Sequence, residues 1–378
     1  PINFIRFKST SPNPKSPIFY LAGGHGGSGI SAAEDRNFSF FMSLGLVGDV
    51  ILFDQRGVGE EGMTCPEAIQ LPFDRDIKYR EVLKIVSEKS LWCKKHFEGI
   101  GYDLRGYNTL ESARDVDELR AALEYEKINL IGESYGSHYA LAILKYFGPQ
   151  VDRVMISGIE GLDNTLKLPG YYDNHFDDIN NLIQKNPQLR AKIPDLKQML
   201  EGVLIKLEQS PQIVTIQNKA GENINITVGK FDVLLQVIGT SGRGNSSSSI
   251  PAMVYKMHQG DFNSIAERAY QFKTRGLRFS AMSILMDGAS GASDERLKAI
   301  REESKNSLFG PIVNVIFPDI SNKWNVPDLG EGFRSPVMSN SPVLLISGSM
   351  DARTPISNGK EVSKTLPNNI HLIAKEYG

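Results

Sequence analysis

Short apolar runs punctuate the chain at wide intervals. Residues 18–22, 50–53, 127–131, 151–157, 342–346 and 369–374 each have the length of a strand. Buried runs of this kind, separated by helical patterns, predict a mainly parallel sheet with helices on both faces. Residues 108–125 read as a helix, with Asn108 as its cap and Glu111 three positions on. Residues 137–144 have helical spacing, and a further helix is expected around 358–364. An early strand at 2–7 alternates apolar and polar side chains but slips once at Phe4-Ile5. Residues 60–108 read as an irregular excursion. From Gly161 to about Ser335 the pattern changes. Helical stretches such as 196–207 dominate there, interrupted by an expected hairpin of 213–217 with 223–227 around Ala220-Gly221. A polar loop at 239–245 and four serines follow. The order predicts a core in two parts, 1–160 and 336–378, with a mostly helical cap, 161–335, inserted between them and lying over the functional edge of the sheet.

The third run enters Gly132-Glu133-Ser134-Tyr135-Gly136 directly. A serine on a sharp strand-to-helix turn has its hydroxyl pushed out above the sheet, and the flanking glycines let the turn close. The start of the following helix also aims backbone N–H groups at any oxyanion formed there. The alternative is a buried serine on an ordinary turn. The first run leads into Gly23-Gly24-His25-Gly26-Gly27-Ser28-Gly29. A glycine-rich loop after a strand can cradle a phosphate, but the Gly-Lys-Ser/Thr ending of a P-loop is missing. In a hydrolase such a loop supplies a second oxyanion donor. Downstream, 342–346 opens into Ser347-Gly348-Ser349-Met350-Asp351. An Asp just past a late strand suits the acid of a triad in the chain order Ser, Asp, His; a plain turn or helix-cap Asp is the competing reading.

These residues carry a resemblance. The glycine-rich loop, Asp54-Gln55-Arg56-Gly57-Val58-Gly59, the 132–136 turn, 151–158, Trp324-Asn325-Val326-Pro327 and the Asp351 loop are similar to the tripeptidyl and prolyl aminopeptidase branch of the α/β-hydrolases, over nearly the whole length. Proline in place of His25 and threonine in place of Val58 would be more usual there. The resemblance implies an α/β-hydrolase fold, Ser134 as nucleophile, Asp351 as triad acid, and oxyanion donors in the backbone N–H groups of Gly24 and Tyr135, with His25 the next candidate. It also implies a histidine just after the turn Glu376-Tyr377-Gly378. The one histidine after Asp351 is His371, which would sit mid-strand, well below the nucleophile. The triad histidine is therefore expected beyond Gly378, in a chain that is truncated as given. His371 is the fallback, and an inactive protein the remaining alternative. His138, His96, His175 and His258 are expected in core or surface roles.

Composition narrows the partners. The 42 basic and 44 acidic side chains nearly cancel, which leaves no footprint for nucleic acid. No apolar run approaches the ~20 residues of a membrane span. The histidines lack the spacings of metal ligands, and no metal or cofactor is expected. Cys65 and Cys93 fall in one excursion and are expected to form a disulfide, placing the protein in a secreted or periplasmic setting. Two unrelated thiols in a cytoplasmic enzyme are the alternative. The abrupt start at Pro1 raises the expectation that an N-terminal part, a signal peptide among the options, has been removed.

Three functions fit. The first is a serine exopeptidase acting on peptide N-termini. The second is an esterase or amidase with a small acyl substrate, and the third a hydrolase-like binding protein without catalysis. An exopeptidase needs an anionic group for the substrate ammonium. Glu160, Asp173, Asp177 and Asp178 are the candidates, solvated helix-start acids being the bland reading of each. Oligomeric state stays open.

Overall fold

The structure, a computed structural model, describes residues 2–34, 38–59, 62–241, 244–278, 280–315 and 317–378. Its main sheet holds β1 (Phe4–Phe7), β2 (Ile18–Leu21), β3 (Val50–Phe53), β4 (Ile128–Glu133), β5 (Val151–Ser157), β8 (Val343–Gly348) and β9 (Asn369–Ala374); β6 (Gln212–Gln217) and β7 (Asn223–Val228) form a separate hairpin. The sheet order is β1-β3-β2-β4-β5-β8-β9. β1 runs antiparallel to β3, and every other pairing in this sheet is parallel. All four residues of β3 are buried, as a strand sandwiched between two layers must be.

The chain builds outward from β2 to β3 and then returns to the other side of β2 with β4. That reversal opens a crevice at the carboxyl ends of β2 and β4, where open α/β sheets bind ligands. Register brings the loops together there. Leu21 pairs with Gly132, Glu133 with Ser157, and Ser157 with Ile346. The segments leaving β2, β4, β5 and β8 thus emerge at nearly one level.

Helices α1 (Phe38–Leu44), α2 (Tyr79–Gly99), α3 (Thr109–Ala122) and α4 (Tyr135–Tyr146) belong to the core. Asn108 caps α3, its side chain accepting from Glu111 N–H at 2.9 Å. From Tyr135 to Leu144 α4 is wholly buried. Between β5 and β8 lie α5 (Gly170–Gln184), α6 (Pro187–Lys192), α7 (Leu196–Gln209), α8 (Lys230–Thr240), α9 (Ile250–His258), α10 (Asn263–Arg275), α11 (Ala281–Ser290), α12 (Asp294–Asn306), α13 (Asp319–Trp324) and α14 (Gly330–Arg334). A fully buried pair, Lys273 with Asp232 at 2.8 Å, ties α10 to α8. The last helix, α15 (Ile356–Ser363), separates β8 from β9.

Two stretches differ from the sequence expectation. The excursion at 60–108 contains α2, a 21-residue helix. Val82, Val86, Ser90, Cys93 and Phe97 recur along its buried face at helical intervals. Cys65 and Cys93 are joined in a disulfide that anchors α2 to the preceding loop, with Cα atoms 5.4 Å apart. The polar loop expected at 239–245 is shorter. Gly239 and Thr240 finish α8, while Gly242 and Arg243 lie outside the described residues. The four serines close a 3-10 turn, Gly244–Ser249, in which the Ser246 hydroxyl donates to Thr240 O at 2.7 Å. Among the described residues no helix is long and apolar enough to cross a membrane.

Candidate active site

At the end of β4 the backbone turns sharply. Ser134 has φ 54° and ψ −121°, a conformation that side chains rarely adopt. It is kept there by its surroundings. Ser134 N–H donates to Ser157 O at 2.9 Å, and Ser134 O accepts from Ser137 N–H at 2.8 Å and from the Ser137 hydroxyl at 2.6 Å. The flanking glycines are steric necessities. A Cβ on Gly132 would overlap the Gly136 carbonyl, and one on Gly136 would overlap Leu21 O. Tyr135 opens α4, so its N–H is among the helix-start donors without an intrahelical acceptor.

The loop after β2 lies against this turn. A Cβ on Gly23 would stand 3.0 Å from Glu133 O and 3.7 Å from Ser134 Cβ. Gly24 follows at φ 77° and accepts from Gly27 N–H at 3.0 Å. Gly23, given no role by the sequence pattern, is thus the loop residue packed closest to Ser134.

On the other flank, Gly158 leaves β5 at φ 55°, and a Cβ there would meet Thr354 Oγ1 at 3.2 Å and Ser134 N at 3.5 Å. The Thr354 hydroxyl donates to Asp351 Oδ2 at 2.6 Å, and Asp351 Oδ1 accepts from Arg353 N–H at 2.7 Å and Thr354 N–H at 2.9 Å. Asp351 is therefore a turn-capping Asp and also a near neighbour of the Ser134 turn. His371 is elsewhere. It pairs opposite Leu345, its Nε2 lies 2.9 Å from Ser347 Oγ, and its ring packs on Gly359 of α15. It bonds to neither Ser134 nor Asp351. The residues after β9 run back beside the acid loop, where Tyr377 O accepts from Met350 N–H at 2.7 Å.

A buried polar cluster underlies the elbow. His138 Nδ1 lies 3.1 Å from Gly161 O, so that nitrogen carries the proton and Nε2 accepts from the Ser290 hydroxyl at 3.0 Å. Burial pushes His138 down to about 4, against the pull of Glu160, and keeps it neutral. Ser290 Oγ continues to Thr109 Oγ1 at 3.3 Å, and that to Tyr135 OH at 3.2 Å. The His25 ring packs against the Tyr135 ring with centroids 4.0 Å apart and planes tilted by 45°, and its Nε2 is 2.8 Å from Asp287 Oδ1. That contact is not aligned as a hydrogen bond.

The expected amine-binding acids are mostly occupied. Glu160 is buried and paired with Lys167, which also donates to Asn164 O at 2.9 Å. Burial pushes the Glu160 carboxyl up, but Lys167 outweighs it and holds the group below the usual range. Asp173 and Asp177 reach Lys197 at 3.6 and 3.5 Å. Asp178 is exposed, its carboxyl raised by partial burial and by Asp177. These three aspartates all lie on α5. Asp287 of α11, which nothing in the local sequence marks, lies beside His25 of the loop after β2. His175 of α5, expected in a core or surface role, is buried. Among the described residues no three His, Cys, Asp or Glu side chains form a metal-binding set.

A sequence model described as the alpha/beta hydrolase fold matches residues 23–219, just over half of the chain. The tripeptidyl aminopeptidase of Streptomyces lividans is 29% identical over 162 residues, covering 40% of this chain and 29% of its own. The chain thus spans less than a third of that relative's length. The Escherichia coli (strain K12) protein YuaR is 22% identical over 376 residues, 92% of this chain and 71% of that one. Among solved structures, a meta-cleavage product hydrolase from Pseudomonas fluorescens IP01 aligns with all of this chain and 86% of its own, at a TM-score of 0.41 and 13% identity.

Proposed function

The chain belongs to the α/β-hydrolase fold family, and on that premise we propose that it is a serine hydrolase that removes residues from peptide N-termini. The observation that carries the reading is Ser134, held at φ 54° between the Gly23 loop and Gly158, with Asp351 reached through Thr354. Ser134 Oγ attacks the scissile carbonyl while a histidine takes its proton. The tetrahedral oxyanion is received by the N–H groups of Gly24 and Tyr135, and loss of one such donor costs roughly 2.7–4 kcal/mol. The histidine returns the proton to the leaving amine, and water, activated the same way, releases the acid. Asp351 orients that histidine. His371 is engaged by Ser347, while the chain at Tyr377 passes beside Met350, so the base is proposed to follow Gly378.

The matched stretch of tripeptidyl aminopeptidase supports a peptide substrate with a free amine, and Asp287, beside His25 in the loop after β2, is the carboxylate proposed to pair with it. One observation favours the second reading, an esterase or amidase: Glu160 is already neutralised by Lys167, and Asp173 and Asp177 share Lys197.

The test uses the full-length protein, labelled with a serine-directed phosphonate and then assayed on peptidyl amides with free and acetylated N-termini. Label on Ser134, and a fall in kcat/KM of about tenfold or more on acetylation, are expected from losing a charge-assisted hydrogen bond of roughly 1.5–3 kcal/mol. Equal turnover of both peptides would overturn the exopeptidase assignment, and label elsewhere would overturn the nucleophile.

A further inference from the structure

The cap contributes a histidine that the mechanism above does not use. Tyr171, in the first turn of α5, donates to Asn358 Oδ1 at 3.0 Å, and Asn358 Nδ2 donates to Ile159 O at 3.1 Å. These two bonds pin the start of α5 over the segment that leaves β5 beside Ser134. His175 stands one helical turn further on, on the same face as Tyr171. It is 3% exposed, and its Nε2 is buried with no hydrogen-bond partner. Asp351 lies near enough for its charge to act on the ring. Asp351 is joined through Thr354 to Gly158, and Gly158 touches Ser134. The Tyr171–Asn358 tie and the action of Asp351 both set His175 on the side of the Ser134 turn where the acid loop lies.

A buried imidazole nitrogen left unpaired is costly, and such groups commonly mark a place where another polar molecule belongs. Burial pushes His175 down to about 4, more strongly than Asp351 pulls it up. The ring is neutral near pH 7, with one N–H donor and one acceptor lone pair. A peptide main chain supplies the matching acceptor and donor in each residue. A simple ester supplies acceptors only.

We propose that His175 is a substrate-binding residue, its neutral imidazole bonding the main-chain amide of a peptide laid over Ser134. The proposal rests on Ser134 being the nucleophile, and it deepens the peptidase reading by naming the contact that prefers amide backbone to ester. Full-length wild type, His175→Phe and His175→Gln are compared on a free-amine peptidyl amide, on a small acyl ester and for phosphonate labelling of Ser134. His175→Phe keeps a buried ring and lowers kcat/KM for the peptide about tenfold, chiefly through KM, from the loss of a hydrogen bond to a partner left unpaired. Ester turnover and Ser134 labelling stay within about twofold, and His175→Gln recovers most of the peptide activity, because its amide also offers a donor and an acceptor. A parallel fall in peptide, ester and labelling would assign His175 to structure. An unchanged peptide KM, or a Gln variant as poor as Phe, would also overturn the proposal. Wild type without label on Ser134 would bring down the functional reading itself, and this one with it.

Discussion

The strain at Ser134 makes a prediction that is independent of catalysis. Its φ of 54° and ψ of −121° cost a residue with a side chain on the order of 1–3 kcal/mol. Ser134→Ala removes the hydroxyl and keeps the strain. Ser134→Gly removes both. Against that relief stands the extra freedom of glycine in the unfolded chain, about 0.4–1 kcal/mol. Loss of a half-exposed Cβ subtracts a further few tenths, from about 0.8 kcal/mol for a fully buried methylene. The Gly variant should therefore be more stable than the Ala variant by about 1 kcal/mol. A difference of that size moves Tm by only about 1 °C in a chain of this length, so urea unfolding at matched m-value is the better assay. Both variants lack the proposed nucleophile, and activity does not enter the comparison. A Gly variant equal to or less stable than the Ala variant would refute the view that the fold stores strain at the turn to present the serine.

Acid should weaken the fold through two buried histidines. His138 and His175 are both held near 4, below their ordinary 6.5, so the unfolded chain takes up their protons first as pH falls. Stability is fully present above about pH 7 and declines below 6.5, by about 2 kcal/mol per histidine at pH 5; urea titrations at pH 7.5 and 5.0 that differ by under 1 kcal/mol in total would refute this. The Cys65–Cys93 bridge spans 28 positions, and its reduction should lower the unfolding free energy by about 3–4 kcal/mol in the chain-entropy account. Two free thiols in the denatured, unreduced protein would dispose of the bridge.

The strand-to-helix turn at 132–136 was legible because its causes are local. A strand, two glycines that must lack a Cβ and a helix start lie within a dozen consecutive residues, so sequence and geometry carry the same information. The Asp351 loop was legible from its place after a late strand. The helix α2 was legible in principle through its 82-86-90-93-97 face, but turn residues on either side of it masked the period. Glu160 looked free because its neighbours in sequence carry no cation. Asn164 Oδ1 accepts from Gly161 N–H at 3.0 Å and folds the chain back, bringing Lys167 onto the carboxylate seven residues away.

Alternation of buried strands and helices determined the class of fold, since a parallel sheet can be built only from runs that are apolar on both faces. The same pattern located the serine and the acid, because each follows a strand end directly. Which groups surround them was decided by packing between segments far apart in the chain. Asp287 meets His25 across 262 positions and His175 feels Asp351 across 176. No local pattern encodes such a meeting. It follows from where α5 and α11 come to rest, and that is set by the total apolar surface the helices between β5 and β8 can bury, to which each contributes and which no single stretch of residues specifies.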